Sequence, residues 1–396
     1  MAFIFKRRYS DAGVADITQR DKPTYTMISK RQGLGGQDFA YATVTGNPQG
    51  VGNTFDASRS AASPLKGEQF IATDVVKYGY LTLDGPSIRR NKANNAVFVD
   101  FVVRHVDGIL AQLGSEISFD LHRDGAGLRG RRASAAGNTI TLTKASDVHY
   151  FYRGMTIIAA QNADGTSPRS GSTTVMKILR ASKQIVVADA SAISSFSDND
   201  FLFRLGQTAS NGIQGMGACT PLAAPTAGVL FRQVERTNDL EALAGTRIDD
   251  PDVLPEDQIG NLAVQASLMG KKLERATVYP TEFQAMVKRL GAKIQYTNPG
   301  GQAKIGFQSI VINAASYAIE VMAEPDIVPA EVRAYANDAH NITYLGSTVV
   351  YLIRDDAGVA HNIGDADGLE YRAVFQGNYL QPDQAAHGVA SFQSAS

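Results

Sequence analysis

A single cysteine, Cys219, occurs among 396 residues, and tryptophan is absent. One cysteine excludes an intrachain disulfide and any Cys-based zinc site built by one chain. Long apolar runs are missing too. The most apolar stretch, STVVYLI at 347–353, falls far short of the roughly 20 residues that span a bilayer. At the N-terminus, MAFIFKRRYS sets a short apolar stretch ahead of its basic cluster. That is the reverse of a secretory signal, so the chain reads as soluble and unexported, with no membrane partner. Net charge is nearly absent, 38 Lys and Arg against 39 Asp and Glu. No strong field draws the whole molecule to nucleic acid or to an acidic membrane.

Catalytic signatures are equally scarce. The sequence has no G-x-x-x-x-G-K-[ST], no G-x-S-x-G and no H-E-x-x-H. The six histidines are never within four residues of each other, so a metal site would need long-range convergence. Asp365 and Asp367 in GDADG imitate a fragment of a calcium loop but lack its later ligands, and a turn is the better reading. Gly125, Gly127 and Gly130 do match G-x-G-x-x-G. A dinucleotide turn, however, follows a strand and opens a helix. Here the order is reversed, and the glycines read as a hinge where a helix gives way to β-structure. No catalytic residue, metal or cofactor is expected.

What is present is a succession of distinct patterns. Residues 1–37 lack a sustained period and read as an extended arm. In DFAYATVTG, Phe39, Tyr41 and Thr43 alternate as in a half-buried strand. A tip rich in Gly, Ser, Asn and Pro follows, and EQFIATDVVKYGYLTLDG returns as strand, which makes a long two-stranded arm. A two-stranded ribbon alone is marginal in water, so it needs a surface to lie on. Val99, Val103, Val106, Leu110, Leu113 and Ile117 then step by four and three, the stripe of a helix of about 25 residues and ~38 Å. Residues 131–206 break into short β-rich runs separated by turn signals, which predicts a small antiparallel module.

Further on, Ile259, Leu262, Ala266, Met269 and Leu273 predict a helix begun by Pro255. Thr281 and Gln284 read as the capping box of a second helix that ends at Gly291. ATVYP, QSIVIN and YAIEVMAEP predict strands, PAEVRAYA a short helix, and the C-terminal GLEYRAVFQGNYLQPDQAAHGVASF final strands. Basic clusters at Arg7 and Arg8, at Arg89 and Arg90, and at Arg129, Arg131 and Arg132 are candidates to face DNA or a scaffold. Solvated faces and intersubunit ion pairs are the favoured reading of any single cluster.

The order of these parts resembles the major capsid proteins of tailed bacteriophages, the Johnson fold shared with herpesvirus shells. FAYATV and VVKYGYLTL resemble the extended E-loop that lies over a neighbouring subunit, and NNAVFVDFVVRHVDGILAQLGSEI resembles the spine helix. ATVYPTEFQAMVKRLG with GFQSIVINAASYAIEVMAEPDIVP resembles the axial domain. LEYRAVFQGNYLQPDQAAHGVA resembles the strands that rejoin the peripheral domain. The resemblance implies an α+β fold with an N-terminal arm at 1–37, an E-loop at 38–84, a peripheral domain with the spine helix at 85–130 and an inserted β-module at 131–206. A peripheral connection at 207–237, an axial domain at 238–362 and C-terminal peripheral strands at 363–396 complete it.

The same resemblance implies a structural protein, not an enzyme. Its hexamers and pentamers would assemble in a host cytoplasm into an icosahedral shell around double-stranded DNA. Scaffolding, portal and decoration proteins would be its partners, with non-specific contact to the packaged DNA. Phe39, Tyr41, Lys66, Phe70, Lys77 and Tyr78 on the E-loop are then the expected intersubunit contacts. A tail or surface binding module, or a soluble enzyme, is the alternative.

Overall fold

The computed structural model describes residues 22–33, 36, 38–86, 101–207, 212–290, 310–345, 348–354, 360–363 and 367–394. The fold is α+β. In chain order come α1 (Pro23–Met27), β1 (Ser29–Gln32), β2 (Asp38–Gly46), α2 (Phe55–Ser60), β3 (Lys66–Thr73), β4 (Val75–Asp84) and α3 (Phe101–Leu121). Next are β5 (Leu128–Ala136), β6 (Thr139–Leu142), β7 (Thr156–Ala160), β8 (Thr173–Leu179), β9 (Gln184–Val187) and β10 (Phe201–Arg204). Then follow α4 (Met216–Cys219), β11 (Leu230–Phe231), β12 (Val234–Glu235), α5 (Leu240–Ala244), β13 (Thr246–Ile248), α6 (Pro255–Leu268), β14 (Arg275–Val278) and α7 (Pro280–Leu290). The last strands are β15 (Ile310–Ala314), β16 (Tyr317–Ala323), β17 (Glu331–Tyr335), β18 (Asn341–Tyr344), β19 (Tyr351–Leu352), β20 (His361–Asn362), β21 (Gly368–Leu380) and β22 (His387–Ser391).

The chain divides into two compact units. The first comprises Met1–Phe39, Ala72–Phe119 and Asn341–Asn378. Its sheet runs β1-β18-β21-β19, with β4 and β20 also paired to β21. The sequence suggested that β4 continues the two-stranded arm. Instead β4 lies antiparallel to β21, from Asp84 opposite Gly368 to Val75 opposite Gly377. The reason is its alternation: Val75, Gly79 and Leu83 are buried, while Val76, Tyr78 and Tyr80 face out. Such a strand demands a covered face. Part of that cover is α3, which approaches closely because position 79 has no side chain. A Cβ there would sit 2.8 Å from Ile109.

The second unit comprises Ala40–Ile71, Asp120–His340 and Tyr379–Ser396. Strands β5 to β10 form a closed barrel in the order β10-β5-β6-β9-β8-β7. Ile140, Leu142, Phe151, Ile157, Val175, Ile185 and Leu202 fill it. Closure pairs every strand on both sides, so a module of this size leaves no open edge. Gly125 and Gly127, at φ +96° and +76°, make the turn between α3 and β5. Helix first and strand second is the wrong order for a dinucleotide turn.

The remaining sheet of this unit runs β13-β22-β17-β14-β16-β15. Helices α6 and α7 bury Ile259, Leu262, Ala266, Phe283 and Met286 against Val278, Ile319, Val321 and Val332. Three expectations need correction here. Helix α6 stops at Leu268, short of Leu273, because Gly270 turns left-handed at φ +70° and the Lys271 amide donates to the Ala266 carbonyl (2.9 Å). Helix α7 starts at Pro280, so Thr281 sits inside the first turn rather than capping it. Residues 331–335 form β17 and not a helix. This strand lies mid-sheet between β14 and β22, with Val332 and Ala334 buried on one face and Arg333 and Tyr335 buried with it. Burial of both faces erases the alternation that marks a half-exposed strand, and pairing overrides the helical preference of its Ala and Glu.

Candidate functional site

The β2–β3 hairpin is the part of the second unit with the least core of its own. Its far end, residues 47–65, carries the short helix α2, whose N-terminus is capped by Thr54 Oγ1 accepting from the Ala57 amide (3.2 Å). Helix α2 buries none of its residues. Instead the hairpin end exposes Val44, Val51, Phe55 and Leu65, with Val51 86% and Phe55 81% accessible. Isolated exposed apolar side chains are ordinary, but here four lie on one short excursion.

The root of the hairpin is built in the opposite way. Phe70 is fully buried, and its ring stacks on Tyr41 with centroids 5.1 Å apart. Phe231 meets Phe70 edge-on at 6.4 Å, and Val234 and Leu243 close the cluster. Beside it lies the guanidinium of Arg232. It donates to Tyr41 Oη (2.9 Å), to Gln214 Oε1 (3.1 Å), and to the carbonyls of Gln214 (3.2 Å) and Tyr379 (2.9 Å). Burial pushes the Tyr41 hydroxyl far above its ordinary range, so it stays a neutral acceptor here. Arg232 and Gln233 both take left-handed backbone, at φ +49° and +70°, in the turn between β11 and β12. That turn type matches hairpin twist but is strained for residues other than glycine. The Arg232 carbonyl accepts from the Ile71 amide (3.1 Å), which ties the turn to β3. Thr43 Oγ1 adds a bond to the Pro382 carbonyl (2.7 Å).

Each residue singled out in the sequence can now be placed. Phe39 and Phe70 are buried and Tyr41 is half-buried, with Tyr41 and Phe70 in the cluster at the root of the hairpin. Lys66 is exposed at the start of β3. Lys77 and Tyr78 lie on β4 in the other unit, with Tyr78 71% accessible. Arg7, Arg8, Arg89 and Arg90 fall outside the described residues, as does most of the arm at 1–37.

Arg129 is buried, 2% accessible, and donates to the Tyr150 carbonyl (3.3 Å). Arg131 donates to the Asn199 carbonyl (3.0 Å) and lies over the Phe201 ring. Arg132 pairs with Asp198 (3.2 Å) and donates to the Phe196 carbonyl (2.6 Å). The latter two staple β5 to the chain entering β10. Sequence reasoning missed Arg232 and the apolar tip. The signal for the tip was there: Val51 and Phe55 interrupt a stretch otherwise written in turn residues.

A second buried polar group lies at the end of the six-stranded sheet. His387 Nδ1 is 3.1 Å from the Asp383 carbonyl, which can only accept, so the proton sits on Nδ1. His387 Nε2 therefore accepts from His340 Nδ1 (2.9 Å). Both imidazoles are neutral, packed with Tyr335 and Tyr379. Burial is the main cause that pushes His387 down to about 3 and His340 well below its usual value. The positive neighbours Arg333 and Arg275 push the same way. Among the described residues, no helix is long and apolar enough to cross a membrane. Nor do three His, Cys, Asp or Glu side chains converge there as a metal site would require.

No protein-family model matches the sequence, and no curated protein matches it. Solved structures do. A chain of the cyanophage A-1(L) capsid asymmetric unit superposes with a TM-score of 0.59 at 9% identity, covering 97% of this chain and 96% of that one. A Mycobacterium phage Ogopogo chain matches at TM-score 0.46 and 12% identity, covering 96% and 94%. The holo-SrpI encapsulin complex of Synechococcus elongatus PCC 7942 matches at 0.48 and 6%, covering 98% and 94%. The first of these carries the argument on fold: the two chains share their architecture from end to end.

Proposed function

We propose that the chain is a major capsid protein that assembles with copies of itself into the icosahedral shell of a tailed bacteriophage. The observation that carries this reading is the β2–β3 hairpin: a packed root and an apolar tip that none of the described residues covers. Holding such an excursion in order costs conformational entropy that its own burial does not offset. A neighbouring copy laid under the tip supplies the missing burial, and many copies multiply weak contacts into a stable shell. In this reading the hairpin is the extended loop, and Val44, Val51, Phe55 and Leu65 are its contact residues, with Lys66 beside them. The end-to-end likeness to a phage capsid chain supports the reading, as does a root built for mechanical hold and not for turnover. The role is structural, the location the virion, and scaffolding, portal and decoration proteins are the further partners.

Deletion of residues 47–65 tests it. Positions 46 and 66 already face each other, since a Cβ at Gly46 would lie 3.5 Å from the Lys66 Cβ, so a two-residue turn can close the gap. Electron microscopy and sedimentation of the intact chain, alone and with a scaffold, are expected to show shells. The deletion variant is expected to remain a folded monomer or small oligomer. Failure of the intact chain to form any large assembly under both conditions would overturn the proposal.

A further inference from the structure

Charge is unevenly shared along this nearly neutral chain. The barrel, residues 128–204, holds ten Arg and Lys against five Asp, a net +5, which leaves 28 against 34 elsewhere, a net −6. Inside the barrel the acids are largely spoken for. Asp200 takes both nitrogens of an Arg169 fork (2.9 and 3.0 Å), Asp198 pairs with Arg132, and Asp147 is buried. The uncompensated positive charge gathers at one end. Lys144, Lys177, Arg180 and Lys183 are all exposed there, and among the described residues none makes an ion pair.

Strand register assembles this cluster. Strand β9 lies between β6 and β8, with Lys177 level with Val186 and Thr141 opposite Gln184. The Lys183 carbonyl accepts from the Leu142 amide (2.9 Å), which sets Lys144 beside it. A bulge between Val175 and Lys177 breaks the alternation, so that Met176 and Lys177 both face solvent.

The counterpart lies in the same chain. Between Asp249 and Asp257 the sequence DDPDVLPED carries five acids and no base. Asp249, Asp250, Asp252 and Asp257 are exposed, and among the described residues Glu256 alone of the five pairs with a cation, Arg289 (2.9 Å). Among the described residues no ion pair joins this loop to the barrel end. We propose that the basic barrel end, Lys144, Lys177, Arg180 and Lys183, docks on the acidic Asp249–Asp257 loop of a second copy of this chain. This rests on the shell reading above. Charge complementarity favours a second copy over DNA, because the chain outside the barrel is net negative and would repel a polyanion. Exposed pairs of this kind act on encounter and register more than on final hold, and salt weakens them.

The test measures assembly of the full-length chain by light scattering at low and high salt. Four proteins are compared: the unaltered chain, K177E/R180E/K183E, D250K/D252K, and the chain carrying both sets. Each single set is expected to slow assembly at low salt by about tenfold, and the combined set to recover most of the rate. All four should melt at similar temperatures. If K177E/R180E/K183E fails to fold, K177Q/R180Q/K183Q should show the same direction more weakly. A combined variant no faster than the single sets overturns the proposal. So does loss of binding to a DNA duplex that the acidic-loop changes cannot restore, which would assign the surface to nucleic acid. If the unaltered chain does not assemble, the shell reading itself falls. If all four assemble alike, only this docking falls.

Discussion

The barrel and the β2–β3 hairpin are both antiparallel β-structure in one unit, and they meet the problem of burial from opposite sides. The barrel turns Phe151, Ile157, Ile185 and Leu202 inward and closes its ladder, so it needs no neighbour to be folded. The hairpin puts Phe70 in the body of the protein and leaves Val51 and Phe55 outside. One element uses its apolar residues for its own stability, and in the proposed shell the other offers them to a partner. Stability and assembly are therefore separable here by position, a division that mutations can probe.

The largest effect is expected inside the barrel. Phe151→Ala removes a fully buried ring and should cost about 3–5 kcal/mol in urea unfolding. Next is the hairpin root. Arg232→Ala strips the donor from Tyr41, Gln214 and the Tyr379 carbonyl, and should cost about 3 kcal/mol. Arg232→Lys should recover only part of this, since one ammonium cannot span acceptors set out for a planar fork.

Acid comes third. An unfolded chain protonates His340 and His387 near their ordinary 6.5, whereas the folded chain holds His387 neutral down to about 3 and His340 well below 6.5. Between those limits the unfolded state binds more protons, so stability falls as pH falls, by up to about 1.4 kcal/mol per pH unit from His387, with His340 acting in the same direction; above 6.5 neither histidine adds a slope. Unfolding midpoints at pH 7, 5 and 4 should trace that slope, and H340Q/H387Q should flatten it. A slope unchanged in the double variant would assign acid sensitivity elsewhere. The smallest effect on stability belongs to the tip. Phe55→Ala should shift unfolding by no more than about 0.5 kcal/mol and yet reduce shell yield. A Phe55 variant that melts early but assembles normally would erase the contrast.

Much of this contrast could be read in the sequence, and the limits have physical causes. Alternation in DFAYATVTG forecast β2, and the short β-runs between turn signals forecast a separate antiparallel module. Both are local signals, set by neighbouring residues along the chain. The function of Arg232 was not legible, because its partners at Tyr41 and Tyr379 lie 191 and 147 residues away. The Lys144, Lys177, Arg180 and Lys183 cluster was hidden for the same reason: strand register, not sequence spacing, brings it together. The misread helix at 331–335 shows the other limit. A strand buried on both faces carries no period, and Ala with Glu then speaks for the wrong structure.

The register of the first unit also has a consequence in time. Its sheet joins β4 to β21, and bonds such as Gln376 to Asp74 (2.6 Å) and Asn378 to the Thr73 carbonyl (2.7 Å) close loops of 302 and 305 residues. Within the barrel, the Arg131 to Asn199 bond closes only 68. Ring closure grows costlier with length, and non-local pairing slows folding. The barrel is thus placed to form early, as a finished bead on an otherwise unfinished thread. The β4–β21 ladder, whose two strands must find each other across most of the chain, is then expected to form last and to set the pace of folding.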